Sequence, residues 1–214
     1  MQLCLFIFDW SGVISDDRRP VYESNMRLLE HYGKPTMSFE EWIKRTTSTP
    51  VDFLRNQGVT EKMADDREIW NLYRKEYDNV TMKGIAPEVY HDARDALEFL
   101  KNKNKTVSIL SSHPEENLLR EAEEYGLKIF IDSISGSVWK DKARGLKRTL
   151  ERFSKNPKDA LYTGDTFLDI IEAKKAGTYS AGICNGYHSR ERLAKEEPDF
   201  LFENLSEIKR LEIF

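Results

Sequence analysis

Residues able to do chemistry stand at four places in this chain. An aspartate, Asp9, directly follows the apolar run Leu3–Phe8 in FIFDWSGVISDD. Two hydroxyls, Ser111 and Ser112, follow a second apolar run in SILSSHP. A lysine, Lys140, lies in SVWKDKARG, and the acids Asp165 and Asp169 frame GDTFLD. A carboxylate at a strand end is suited to attack an electrophile such as phosphorus. Repulsion from an anionic substrate must then be relieved by a divalent cation, and Asp165 or Asp169 offers the oxygen ligands that Mg²⁺ prefers. A hydroxyl and a lysine would hold the remaining phosphoryl oxygens. Each residue alone has a plainer reading: an aspartate after a strand commonly caps a helix, and Lys140 alone reads as a surface residue. Their joint placement, each beside a strand or a helix start, points to one rim.

The elements that must build this rim are legible in the hydropathy pattern. Five short apolar runs read as buried parallel strands: Leu3–Phe8, Thr106–Leu110, Lys128–Ser133, Ala160–Thr163 and Tyr179–Cys184. Between them lie helical spacings at Tyr90–Asn102, Glu115–Tyr125, Lys142–Phe153 and Asp169–Ala176, the last ending at Gly177 as a C-cap. Alternation of this kind predicts an α/β, doubly wound, Rossmann-like parallel sheet, whose sites form at the carboxyl ends of the strands. The long stretch between the first two strands breaks the rhythm. It offers helical patterns around Met26–Leu29, Phe39–Ile43, Val51–Leu54 and Ile69–Tyr77. We read residues 17–83 as an inserted helical cap and residues 1–16 and 84–214 as the core.

Composition narrows the class. The 214 residues include 11 Phe, 9 Tyr and 4 Trp, enough large aromatics for a packed core. The longest apolar run is far too short to span a membrane, and Asp9 ends it with no preceding Lys or Arg, which argues against a secretory signal. A net charge of −4 gives no reason to expect a nucleic-acid partner. The two cysteines, Cys4 and Cys184, read as buried free thiols. A cytoplasmic, globular protein, monomeric or homodimeric, is the expectation.

The order Asp9, Ser111, Lys140 and GDTFLD, at separations of 102, 29 and 25 residues, resembles the haloacid dehalogenase superfamily. The segment Ala173–Gly177 (AKKAG) is similar too, and the resemblance covers the whole chain. The insertion after the first motif is like that of the phosphoglycolate phosphatase and β-phosphoglucomutase relatives. The resemblance implies a Mg²⁺-dependent hydrolase of a small phosphorylated metabolite. Asp9 would be the nucleophile that forms an aspartyl-phosphate. Asp9, the Ser11 carbonyl, Asp165 and Asp169 would hold the metal. Ser111, Ser112, Gly12, Lys140 and, from the cap, Arg45 would bind substrate. Lys142, two residues after Lys140, is the alternative lysine.

One position departs from the pattern. Family phosphatases carry an acid two residues after the nucleophile, and here that position is Ser11. A neutral hydroxyl is a poor proton donor near pH 7, and general acid–base assistance is worth roughly 10²–10⁴-fold. His113, Asp16 and Asp17 are the candidate substitutes, each with a capping or solvated role as the plainer reading. Asp9-Trp10-Ser11-Gly12 is also similar to the corresponding segment of phosphonoacetaldehyde hydrolases, which lack this acid and use a cap lysine. Lys44 is the nearest such lysine in sequence, and Val13 stands where Thr is usual. A carbon–phosphorus hydrolase, or a binding module without turnover, are therefore the alternatives.

Overall fold

The computed structural model describes residues 2–138 and 141–211. The chain divides into two compact units: residues 1–15 with 89–214, and residues 16–88.

The core unit is built on a six-stranded sheet. Strand β1 (Leu5–Phe8) opens it. The short strands β2 (Ser15–Asp16) and β3 (Glu88–Val89) pair with each other in a separate ribbon at the unit boundary. The sheet continues with β4 (Thr106–Leu110), β5 (Ser133–Ser135), β6 (Ala160–Gly164), β7 (Tyr179–Ile183) and β8 (Phe200–Phe202). Its order is β5-β4-β1-β6-β7-β8, and each neighbouring pair runs parallel. The chain builds outward from β1 on one side through β4 and β5, then returns to the other side of β1 with β6. The strand order therefore reverses at β1 and β6, where open parallel sheets leave a crevice. Register places Phe8 level with Ile109 on one neighbour and Thr163 on the other. Asp9 and Asp165 thus emerge on either side of that crevice.

Strand β1 is fully buried, which explains its unbroken LFIF sequence. Its side chains alternate between two cores. Phe6 and Phe8 join Val107, Ile109, Leu97 of α5 (Ala93–Asn102) and Leu118 of α6 (Glu115–Glu124). Leu5 and Ile7 join Tyr162, Leu146 and Leu150 of α7 (Lys142–Arg152) and Ala173 of α8 (Phe167–Ala176). A short helix α9 (Arg190–Ala194) precedes β8.

The unit of residues 16–88 holds four helices, α1 (Arg18–His31), α2 (Phe39–Arg45), α3 (Pro50–Asn56) and α4 (Asp66–Met82). Ser38, Thr49 and Asp65 cap α2, α3 and α4 by accepting backbone N–H groups, and Asp65 and Glu68 complete a capping box. Helices α1 and α4 lie together, joined by the Arg27–Glu76 ion pair at 3.4 Å. Trp42 is fully buried and packs against Tyr22 and Phe39.

Three sequence expectations are corrected. The run Lys128–Ser133 is not one strand: residues 128–130 form a 3₁₀ turn, and the strand begins only at Ser133. A polar and exposed residue, Asp132, interrupts the run, accepting the Val107 N–H at 2.8 Å and pairing with Lys101. Strand β8 lacks an apolar run long enough to stand out, because an edge strand of three residues needs none. Cys4 and Cys184 are free but only half-buried. Among the described residues no helix is long and apolar enough to cross a membrane.

Ile7 contacts both neighbours of the central strand and has no exposed surface. Ile7→Ala is expected to lower the unfolding free energy by about 2–5 kcal/mol. Urea denaturation measures it, and a loss below about 1 kcal/mol would contradict this packing.

Candidate functional site

The strand ends bring an acidic cluster together around one lysine. Asp9, one residue past β1, is anchored through its backbone N–H to the Thr163 carbonyl at 2.9 Å. Its Oδ1 accepts the Trp10 N–H at 2.7 Å, and its Oδ2 accepts from the Lys142 ammonium. The same ammonium donates to Asp169 Oδ1 at 2.6 Å. Lys142 opens α7, behind the N-cap Asp141, whose side chain accepts the Arg144 N–H.

Asp169 serves two structures at once. It is the third residue of α8, where its Oδ2 accepts the Thr166 N–H at 3.0 Å and the Thr166 hydroxyl at 2.6 Å. Thr166 returns a bond to the Asp169 N–H, closing a capping box. The other oxygen, Oδ1, accepts from Lys142 and from the Tyr162 hydroxyl at 3.0 Å. Asp165 is 1% exposed, and its Oδ2 accepts the Tyr187 N–H at 2.7 Å.

Glycines make this crowding feasible. A Cβ on Gly12, whose φ is +72°, would lie 2.0 Å from Asp165 Oδ2. One on Gly164 would lie 2.3 Å from the Asp169 Cβ. Both positions admit only a residue without a side chain.

Charge explains the protonation states. Burial works against Lys142, but Asp169 and Asp9 outweigh it and raise the ammonium well above its ordinary range. Burial likewise opposes ionisation of Asp169, yet Lys142 and the Thr166 donors hold that carboxyl below its usual value. Asp165 lacks such compensation: burial, then Asp169 and Asp9, push it well up. Oxygens of Asp9, Asp165 and Asp169 lie within 4.8 Å of one another. Carboxyl oxygens grouped this closely are the ligands a hard divalent cation takes, and a cation there would favour the ionised form of Asp165 that burial opposes. The donor set fits Mg²⁺.

The remaining sequence candidates fall as follows. Ser111 follows β4 directly and is fully buried, its Oγ accepting the His113 N–H at 3.4 Å, while Ser112 is exposed. Ser11 and Gly12 lie in the tight turn after Asp9, where Gly12 N–H donates to the Ser15 carbonyl at 2.8 Å. Lys140 lies outside the described residues, and it is the alternative, Lys142, that bridges the acids. Arg45 ends α2 in the helical unit and pairs with Glu41 one turn earlier. Asp16 is held by the Arg18 guanidinium through both carboxylate oxygens, at 2.7 and 2.6 Å. Asp17 is the buried residue preceding α1.

Sequence reasoning missed Tyr162, Thr166, Tyr187 and His188. Thr166-x-x-Asp169 carries the capping-box spacing and was readable. His188 is 1% exposed. It lies in the loop after β7, at the same sheet edge. Its Nδ1 accepts the Phe167 N–H at 3.1 Å, its ring stacks on Phe167, and its own N–H donates to the Asp165 carbonyl.

Burial, reinforced by Arg192, pushes the His188 imidazole down from 6.5 to about 4. The unfolded chain therefore binds the proton first as pH falls. This contribution to stability is complete above about pH 6.5 and is lost towards pH 4. Between pH 7 and pH 5 the protein should lose about 1–2 kcal/mol more unfolding free energy than His188→Gln. Urea unfolding at the two pH values tests this, and equal losses would refute it.

Comparison with known proteins agrees with this architecture. The chain is 23% identical to the phosphoglycolate phosphatase of Vibrio parahaemolyticus over 95% of its length and 93% of the relative's. It is 24% identical to pyrophosphatase PpaX of Anoxybacillus flavithermus, over 97% of this chain and 96% of the relative. Its shape matches a haloacid dehalogenase-like family hydrolase from Streptococcus pneumoniae at a TM-score of 0.84, with 18% identity and 97% of each chain covered. The profile of the haloacid dehalogenase-like hydrolases matches residues 6–183, so the chain belongs to that family of enzymes.

Proposed function

We propose that this protein is a Mg²⁺-dependent phosphatase acting on a small phosphorylated metabolite in the cytoplasm, through an aspartyl-phosphate at Asp9. The observation that carries the reading is the Lys142 ammonium shared between Asp9 and Asp169, with Asp165 close by. The similarity to a phosphoglycolate phosphatase and a pyrophosphatase supports the reaction class.

In this reading Asp9 attacks phosphorus, and the leaving oxygen departs with the bonding pair. Water then cleaves the phosphorus–oxygen bond of the acyl phosphate and regenerates the carboxylate. Lys142 remains an ammonium throughout, because Asp169 and Asp9 both favour its charged form. It is a fixed positive charge that holds Asp9 and opposes the charge of the phosphoryl group. Asp165 and Asp169, with Asp9 and the Ser11 carbonyl, would hold Mg²⁺. The ion supplies charge neutralisation of the phosphoryl oxygens. Ser111 and Gly12 would meet the phosphoryl group, and Lys140, Ser112 and Arg45 would add substrate contacts. The unit of residues 16–88 would act as the cap that selects the metabolite.

Ser11 cannot act as an effective acid near neutral pH, so the leaving oxygen takes its proton from solvent. Alkyl phosphates are therefore slow substrates.

A panel of phosphorylated metabolites assayed with Mg²⁺ should show turnover that EDTA abolishes and that Asp9→Asn lowers by about a thousandfold or more. No turnover of any member, with no effect of Asp9→Asn, would end this reading. Ser11→Asp should raise alkyl-phosphate turnover by roughly 10²-fold or more. An unchanged rate in a folded variant would show that the acid is not what limits the enzyme.

A further inference from the structure

The turn that follows Asp9 is organised around one residue, Trp10. Its carbonyl accepts the N–H groups of Val13, Ile14 and Ser15 at 3.3, 2.8 and 2.9 Å. Its own N–H donates to Asp9 Oδ1. The indole has no exposed surface and points away from the acidic cluster, into the core. There its Nε1–H donates to Glu121 Oε2 of α6 at 2.6 Å. Tyr125, four residues on, stacks on the indole with the planes 5° apart, and its hydroxyl lies 3.3 Å from Ser15 Oγ. One side of α6 thus grips both ends of the Trp10–Ser15 turn.

A hydrogen bond to a carboxylate is short, directional and stronger than a neutral one. A buried indole N–H deprived of it would have to find another acceptor. The indole is fully buried and stacked on Tyr125, so it reaches a new acceptor only by shifting its Cα, and with it the turn whose backbone N–H orients Asp9. Packing alone would be served by any large aromatic at position 10. The Glu121 bond instead ties the indole to α6, and through the Trp10 Cα it anchors the peptide that holds the carboxylate.

We propose that Glu121 is a positioning residue for Asp9, acting through the Trp10 indole and the Trp10 backbone N–H. This rests on Asp9 being the nucleophile. Trp10 and the acid on α6 then form a pair that sets the angle of attack.

The test is steady-state hydrolysis of p-nitrophenyl phosphate with Mg²⁺ by the parent, Glu121→Ala, Glu121→Gln, Trp10→Phe and the Trp10→Phe/Glu121→Ala pair, with thermal unfolding measured alongside. Glu121→Ala should lower kcat about tenfold or more with KM changed less than about twofold, since misplacement of a reacting group is felt in the chemical step. Glu121→Gln retains an acceptor and should restore kcat to within about threefold of the parent. The double variant should be no slower than Trp10→Phe alone, because the two residues act as one unit. If Glu121→Ala does not fold, the comparison of Glu121→Gln with Trp10→Phe decides: only the latter should lose kcat. An undiminished kcat in Glu121→Ala, or in Trp10→Phe, while Asp9→Asn abolishes turnover, overturns the proposal and leaves the phosphatase reading standing. Independent, multiplying losses in the double variant overturn it equally. A parent with no Asp9-dependent turnover overturns both.

Discussion

The core of this protein is arranged around a single buried ammonium shared by two carboxylates. Lys142 reaches Asp9 from the start of α7 and Asp169 from the first turn of α8. Asp9 lies 133 positions from Lys142, and Asp169 a further 27 along, so only the completed sheet brings them together. Removing one member of a buried ion pair typically costs about 3–5 kcal/mol, because the partner is left charged and unpaired. Here the lysine has two such partners, and the fold can be complete only when β1, α7 and α8 are all seated. Function and folding therefore draw on the same contact.

That contact leaves the site electrically unbalanced. Asp165 forms no ion pair among the described residues; a backbone N–H holds it, and glycines let the chain approach it. Burial and two neighbouring acids push its carboxyl up. Perturbed carboxyl groups of this kind cluster at functional sites. The asymmetry between Asp169, fully engaged by donors, and Asp165, engaged by one, separates a carboxylate fixed for support from one more open to a ligand.

Much of this was readable in the chain before any coordinates. The strand-then-acid pattern at Phe8-Asp9 and Gly164-Asp165 marked the rim, because buried parallel strands are apolar throughout and their ends are where polarity returns. The break in rhythm between the first two buried strands marked the inserted helices. The lysine was harder. Lys140 and Lys142 are equivalent by sequence, and what distinguishes Lys142 is its place at the first turn of α7, which requires the position of Asp141 as N-cap. Lys128–Ser133 misled because hydrophobicity alone does not tell a 3₁₀ turn from a strand when a single aspartate divides them. His188 and Tyr187 were invisible for a different reason. Their contacts are made by or to backbone groups across a loop, and such bonds leave no periodicity in a sequence.

The capping box of α8 carries a consequence for how this chain can change over time. Asp169 is at once a helix-starting residue and a member of the acidic cluster, so a change that removes its side-chain oxygens is felt in the first turn of α8 and at Lys142 together. Ser11 sits outside the helices, in the turn after β1. A substitution in that turn leaves the capping box of α8 intact, whereas one at Asp169 reaches the helix and the charge cluster in a single step.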